Sequence, residues 1–264
     1  MTDFVPRLPK LRLHVADDLA AGTGVTLTRD QTHYLANVMR AAIGDEVALF
    51  NGRDGEWAAR IDALGKRGAD LAVVRATRQQ VAEPDLWLAF APIKRGRIDW
   101  IAEKATELGV ARLLPVMTAR TQMARVNVER LAANAVEAAE QCERMTVPPV
   151  DAPVRLDALL TAWPRHRILY VGDETGGGRP LAEALQAEPA GDSGMPPPRG
   201  VLVGPEGGFA PDELDALDDL PFVRKISLGP RVMRADTAAI AALAVIQAVA
   251  GDWRTARDGR EKNT

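Results

Sequence analysis

The sequence predicts two domains, a small β-rich barrel carrying one helix followed by an α/β domain built on a parallel sheet. Three observations predict this. Short apolar runs with partial alternation crowd the first 80 residues, strands alternate with helices from residue 84 onward, and two glycine-proline turns near the C-terminal end each follow an apolar run and precede a helix.

Length and composition set the bounds. A chain of 264 residues can bury two cores. With 47% hydrophobic and 26% charged residues it has the make-up of a soluble globular protein. No apolar run is long enough to span a bilayer, and MTDFVPRLPK lacks the apolar stretch of a signal peptide, so the expected address is the cytoplasm, with no membrane partner. The lone Cys142 cannot form an internal disulfide, and three scattered histidines with no CxxC or HExxH give no support to a metal site or thiol catalysis. The net charge of −3 argues against a generic nucleic-acid coat. Its distribution is more informative: residues 1–78 carry 11 Lys/Arg against 10 Asp/Glu, residues 79–150 carry 9 against 9, and residues 151–264 carry 13 against 17. A nucleic-acid-binding surface, were the chain to have one, would therefore lie in the first half.

In chain order, Leu11–Val15, Glu46–Asn51, Glu56–Leu64 and Asp70–Thr77 read as strands, with Asn51-Gly52-Arg53-Asp54-Gly55 as a hairpin turn. One helix interrupts them. Thr28 with Gln31 three residues on forms a capping box, and His33, Leu35, Val38 and Met39 give the helix an apolar side. Arg7, Lys10, Arg12, Arg29, His33, Arg40 and Arg53 are the cations available there for phosphate contacts, with His33 and Arg40 expected on one side of the helix.

Glu83-Pro84 marks the linker. Leu86–Pro92 is a strand, residues 96–108 a helix, Arg112–Met117 a strand, and residues 128–144 a long helix capped by Asn127. Lys94, Arg95 and Arg97 lie where the first of these strands meets its helix. Glu103, Lys104 and Glu107 share a helical face and are expected to pair. Cys142 reads as a small buried hydrophobe. A further strand ends in Gly172-Asp173-Glu174, a loop that would join a ligand pocket, and residues 190–200 read as a flexible excursion.

The two glycine-proline turns are Gly204-Pro205-Glu206-Gly207-Gly208 and Leu228-Gly229-Pro230-Arg231. In a parallel sheet they fall at the carboxyl ends of strands, where ligands bind and where glycine lets backbone approach a small molecule. Neither the phosphate-loop pattern GxxxxGK[ST] nor the dinucleotide pattern GxGxxG is present, which disfavours nucleoside triphosphates and nicotinamide cofactors.

GPEGGF followed by LGPRVMRADTA resembles the C-terminal signature of the RsmE family, the 16S ribosomal RNA uridine-N3 methyltransferases of the SPOUT class. HYLANVMRAAIGD from His33, KRGRIDWIAEKATELGV from Lys94 and EAAEQCERMTVP from Glu137 extend the resemblance over most of the chain. It implies a PUA-like RNA-binding barrel over residues 1–80 and a SPOUT domain over 84–252 with a C-terminal trefoil knot; residues 253–264 read, by their own composition, as a disordered tail. It also implies S-adenosylmethionine as cofactor, 16S rRNA within the small ribosomal subunit as partner, and a homodimer. Only the resemblance, through the pattern E-x-x-E-Q-x-x-R, brings Arg144 near the RNA.

Such a cofactor has adenine, ribose, an amino-acid end and a sulfonium, but no phosphate. Backbone of Val203, Gly204, Leu228, Gly229 and Met233 would suit its adenine and ribose, Leu202, Leu228 and Met233 would line an apolar slot, and Pro205, Gly207 and Ala238 are further cofactor-binding candidates. Methyl transfer to uracil N3 needs orientation and either a base or a cation for the uracil anion. Arg234 is the candidate cation, with Glu206 and Asp236 as flanking groups. Three departures from the family pattern stand out: Met233 and Asp236 replace the usual leucine and glutamate, Ala210 stands where a capping Ser or Thr is usual, and the stretch after Ala190 is long. The rival readings are a non-catalytic RNA-binding or ribosome-assembly factor of the same fold and a SPOUT enzyme acting on tRNA. The apolar helix Thr237–Ala250 is expected either inside the core or at the dimer interface.

Overall fold

The computed structural model describes residues 9–65, 68–94, 96–123, 125–173, 177–188 and 197–254. Arg7, Arg95, Glu174, residues 190–196 and the tail from residue 255 lie outside the described residues. The chain groups into two compact units, Met1–Ala82 with Ala139–Val147, and Glu83–Ala138 with Pro148–Thr264. The segment Ala139–Val147, which the sequence reading assigned to the second domain, thus belongs with the first unit.

The first unit contains β1 (Arg12–His14), β2 (Gly24–Thr26), α1 (Arg29–His33), β3 (Glu46–Phe50), β4 (Glu56–Leu64) and β5 (Ala69–Arg78). Its sheet runs β1-β3-β4-β5-β2, with β1 and β3 parallel and the other pairs antiparallel. Register shifts in the β4–β5 pair, each leaving an extra residue on one strand, curl the sheet. Among the described residues the edges β1 and β2 are not paired with each other, so the expected barrel is a half-barrel. Leu13, Val47, Leu49, Ile61, Leu71 and Val73 fill its concave side. The hairpin turn sits where predicted. Gly55, at φ 81°, is obligatory there, since a Cβ would lie 2.4 Å from the Arg78 carbonyl oxygen.

The predicted capping box is present: Gln31 N donates to Thr28 Oγ1 at 3.3 Å and Thr28 N to Gln31 Oε1 at 3.1 Å. The helix beyond it departs from the prediction. After His33 it widens into a π-helical stretch, Tyr34–Val38. This breaks the 3.6-residue period, so Leu35 is buried while Val38 and Met39, expected on the apolar side, are 58% and 46% exposed. Arg40 lies past the end at φ 54°, so it does not share a helical side with His33.

The second unit adds, in chain order, β6 (Leu86–Phe90), α2 (Arg97–Glu107), β7 (Arg112–Met117), α3 (Val128–Cys142), β8 (Val154–Arg155) and α4 (Leu156–Ala162). It continues with β9 (Ile168–Gly172), β10 (Arg179–Pro180), α5 (Leu181–Gln186), β11 (Arg199–Val203), α6 (Pro211–Asp218), β12 (Val223–Ser227) and α7 (Ala235–Ala250). The last turn of α3 falls in the first unit. The strands form one parallel sheet in the order β10-β12-β9-β11-β6-β7-β8. A parallel sheet is covered on both faces, and β11 shows it in its alternation. Val201 and Val203 pack into the cluster of Phe90, Ile101 and Leu243, whereas Leu202 packs on the opposite side with Val171, Phe209 and Leu217.

Helix α3 begins as predicted, with Arg130 N donating to Asn127 Oδ1 at 2.9 Å, and ends at Cys142, short of residue 144. Glu143 at φ 66° turns the chain out of the helix. Cys142 is half-buried, not fully buried as expected. Lys104 bridges Glu103 at 2.6 Å and Glu107 at 2.8 Å, the predicted intrahelical pairing. On α7, Ala239, Ala242, Leu243 and Ile246 are buried at the i, i+3, i+4, i+7 spacing of one face, against α2, α5 and β11. The 3₁₀ turn Asp252–Arg254 runs into the first two residues of the expected disordered tail. No described helix is long and apolar enough to cross a membrane.

Candidate active site

The carboxyl ends of β9, β11 and β12, neighbours in the sheet, enclose a pocket of about 220 Å³. Both predicted turns form it. Val203, Gly204, Pro205 and Glu206 make one wall, and Leu228, Gly229 and Met233 make another, with Ala238 of α7 at the base. Sequence reasoning also anticipated Gly172 and Asp173 as a loop that would join the pocket, and they line it. Pro230 and Arg231 of the second turn line it as well, and sequence reasoning missed Ile226, Ser227, Val232 and Ala235, which flank that turn. The walls combine apolar side chains with polar surface in nearly equal measure, and the turn geometry is held by local hydrogen bonds. Gly208 N donates to Pro205 O at 2.9 Å, and Gly229 N to Ser227 Oγ at 3.2 Å.

The two glycines serve different needs. Gly229 adopts φ 107°, a conformation side chains resist, in otherwise open space. Gly204 has no such backbone requirement. A Cβ there would lie 2.9 Å from the buried ring of Phe209, so its close approach is to the protein's own core, and a larger residue would disturb packing as well as the pocket.

Two expected cofactor residues do not line the pocket. Leu202 is buried on the opposite face of the sheet, because β-strand side chains alternate and Val203 takes the pocket side. Gly207 points its carbonyl away, accepting a hydrogen bond from Arg120 Nη1 at 2.8 Å.

The three candidate catalytic residues separate. Glu206 is exposed at the pocket wall, and its carboxylate takes no hydrogen bond among the described residues. Arg234 is exposed, immediately between the lining residues Met233 and Ala235 but not itself a lining residue, and its guanidinium has no partner among the described residues. Asp236 lies outside the pocket in the first turn of α7. It accepts from Arg97 Nη1 at 2.8 Å and from Thr237 N at 2.9 Å. Arg97, read as a phosphate contact, is therefore committed to Asp236. Lys94 is exposed.

In the first unit the expected phosphate contacts divide sharply. Lys10, Arg29, His33 and Arg40 are exposed. Arg12 is 6% exposed, and its guanidinium belongs to an internal network. Its Nε donates to Glu56 Oε2 at 2.6 Å, Nη1 to Ala139 O at 2.9 Å and Glu140 O at 3.1 Å, and Nη2 to Arg144 O at 3.1 Å. It also stacks 4.5 Å from the Phe50 ring centroid. A cation at the C-terminal carbonyls of α3 complements the helix dipole. Arg78 Nη2 joins it, donating to Glu56 Oε2 at 2.7 Å and Glu143 O at 2.8 Å. The cluster Glu140–Arg144 is thus fixed from below: Glu140 Oε1 accepts from His14 N at 2.9 Å, and Arg144 Nε donates to Thr146 Oγ1 at 2.9 Å. Arg53 pairs with Asp18 at 2.8 Å. Among the described residues no group of His, Cys, Asp and Glu could hold a metal ion.

Comparison with known proteins gives this geometry a family. Residues 81–247 match the model of an RNA methyltransferase domain, and residues 27–74 that of an RNA methyltransferase PUA domain. Ribosomal RNA small subunit methyltransferase E of Rickettsia conorii is 31% identical over 237 residues, covering 89% of this chain and 94% of the relative. The protein of the same name from Synechocystis is 32% identical over 240 residues, covering 90% and 77%. In solved structures, ribosomal RNA small subunit methyltransferase E of Neisseria gonorrhoeae, bound to S-adenosylmethionine, superposes with a TM-score of 0.81 at 25% identity, covering 92% of this chain and 99% of that one. With a family model matching most of its length and a pocket at the sheet's carboxyl ends built from that family's signature turns, the chain belongs to the RNA methyltransferase family of ribosomal RNA small subunit methyltransferase E.

Proposed function

We propose that this protein transfers the methyl group of S-adenosylmethionine to N3 of a uridine in 16S ribosomal RNA, acting on the small ribosomal subunit in the cytoplasm. The observation that carries the reading is the pocket formed by the Gly204–Glu206 and Leu228–Met233 turns, in a chain whose relative holds S-adenosylmethionine. The residues present fit that cofactor. Val203, Leu228, Met233 and Ala238 offer apolar walls, backbone at Gly204 and Gly229 lines the pocket within reach of adenine and ribose, and a ligand without phosphate needs no lysine there.

When bound, S-adenosylmethionine supplies an electrophilic methyl group on its sulfonium. The protein's part is to orient the uracil ring in line with that methyl and to deal with the N3 proton. Arg234 stabilises the uracil anion as the proton leaves, and Glu206 at the pocket wall accepts the proton directly or through water. N3 then forms its new bond to carbon as the carbon–sulfur bond breaks. Asp236, held by Arg97, fixes the start of α7 and so the direction in which Arg234 leaves the chain. We also infer that the C-terminal part of the second domain carries a trefoil knot, and that residues 1–80 hold RNA while residues 84–252 perform the transfer.

RNA attraction in the first unit falls to Lys10, Arg29, His33 and Arg40, since Arg12 is internal. The Lys10→Ala/Arg29→Ala/Arg40→Ala variant is expected to bind 30S particles more weakly and to flatten the salt dependence by about one unit of slope per lost phosphate contact. Titrations of both proteins at several salt concentrations check it. Unchanged affinity and slope would move the RNA anchor elsewhere.

A homodimer is the proposed assembly. On α7, Ile240, Ala241, Ala244, Val245 and Val249 are half-exposed; Ile240, Val245 and Val249 touch the core with one side, and together the five leave an apolar stripe that a second copy would cover. Light scattering at micromolar concentration should give twice the chain mass of 28.4 kDa, and the monomer mass alone would refute the dimer.

The function itself is tested by incubating purified 30S particles and, separately, purified tRNA with methyl-labelled S-adenosylmethionine and digesting the RNA to nucleosides. Label in tRNA instead of 16S rRNA, or binding of RNA with no transfer, would favour the rival readings.

A further inference from the structure

The Gly204–Gly208 turn has three glycines and so little intrinsic stiffness, yet it must present fixed backbone to a ligand. Its start is anchored by the sheet, where Ala91 N donates to Val203 O at 2.9 Å. Its far end is anchored by residues from a distant part of the chain. The loop after β7 closes on itself, with Thr118 N donating to Thr121 Oγ1 at 2.9 Å, and this turn carries Ala119 and Arg120. Arg120 Nη1 donates to Gly207 O at 2.8 Å. Glu213 on α6 divides its carboxylate between the two loops, Oε1 accepting from Ala119 N at 2.8 Å and Oε2 from Ala210 N at 2.9 Å. Gly207 also lies flat against the Arg120 stem, where a Cβ would sit 3.5 Å from Arg120 Cβ.

We propose that Arg120 and Glu213 are positioning residues that clamp the Gly204–Gly208 turn in the shape the pocket requires. Neither lines the pocket, so they act through the turn and not by touching the ligand. Arg120 lies 87 positions from Gly207 in sequence, and neither Arg120 nor Glu213 belongs to a glycine-proline turn. As a role in S-adenosylmethionine binding, the inference rests on the function proposed above; as a statement about the turn it does not.

The test therefore has two arms on the full chain. In hydrogen exchange without ligand, the Gly208 amide, bonded to Pro205 O, should exchange about tenfold faster in Arg120→Ala than in the parent. In calorimetry, Arg120→Ala and Glu213→Ala should each weaken S-adenosylmethionine binding about tenfold. Arg120→Lys, which keeps a donor for Gly207 O, should recover part of the loss, and Glu213→Gln, which keeps one carbonyl acceptor, should fall between parent and Glu213→Ala. If Glu213→Ala fails to fold, the Arg120 pair decides the matter alone. Parental exchange at Gly208 in Arg120→Ala would overturn the clamp, as would parental affinity or an Arg120→Lys no better than alanine. A parent that binds no S-adenosylmethionine would instead refute the proposed function, with the exchange arm still judging the clamp.

Discussion

Glu56→Ala is expected to destabilise the first unit by about 3–5 kcal/mol, the cost of leaving buried cations without their counter-charge. Glu56 is 1% exposed and accepts from both Arg12 and Arg78, and Thr77 Oγ1 donates to its other oxygen at 2.9 Å. Its removal leaves the Arg12 guanidinium buried beside the α3 carbonyls with one charge uncompensated. Urea unfolding followed by far-ultraviolet circular dichroism measures the change, and a loss below 1 kcal/mol would show that the network carries little of the unit's stability.

The same network sets a pH dependence. Burial pushes the Glu56 carboxyl up, but hydrogen bonds and charge from Arg78, then Arg12, outweigh it and hold the group below its ordinary value. A carboxylate depressed in the native state gives stability that is fully present above the unfolded pKa, about 4.3, and is lost as pH falls through the native value. His14 acts in the same direction. Burial, and secondarily the charge of Arg53, lower its pKa, so below about 6.5 the unfolded chain takes a proton that the native state resists. Stability should therefore fall in two stages on acidification, and Glu56→Gln should remove most of the second.

Arg234→Ala is expected to reduce methyl transfer about 10²–10³-fold, the usual cost of removing a donor aimed at developing negative charge. Because its side chain is exposed, does not line the pocket and has no partner among the described residues, neither the melting temperature nor S-adenosylmethionine affinity should change appreciably. Single-turnover rates with saturating cofactor separate the chemical step from binding. A variant whose rate stays within a few-fold of the parent would remove Arg234 from the reaction and leave Glu206 as the remaining candidate. Asp236→Asn offers the contrast. It weakens the pair with Arg97 without removing Arg234, so the rate should fall less.

Much of this was legible in the sequence because it depends on local pattern. The strand Arg112–Met117 and the helix start at Val128 were predicted to the residue, since apolar runs and side-chain caps act within a few positions. The pocket was legible for the same reason: glycine and proline in the two turns report backbone geometry directly. What the sequence hid is non-local. Arg12 looked like a free cation until folding set it beside Glu56, 44 positions away, and the carbonyls of Ala139 and Arg144. Arg97 and Asp236 are 139 positions apart, and no spacing rule joins them. The π-helical stretch Tyr34–Val38 was hidden for a different reason. Its residues suit an ordinary helix, and only the packing of Leu35 against the half-barrel selects the wider turn, which carries Val38 and Met39 into solvent.

The central claim is a reaction at a defined atom in a defined RNA, and the nucleosides of 16S rRNA report it most directly. Small subunits from cells lacking this protein, incubated with the purified protein and methyl-labelled S-adenosylmethionine, should yield label in 3-methyluridine, and Arg234→Ala should slow its appearance. Label in any other nucleoside, or 3-methyluridine already at full level in RNA from the cells lacking the protein, would contradict the account.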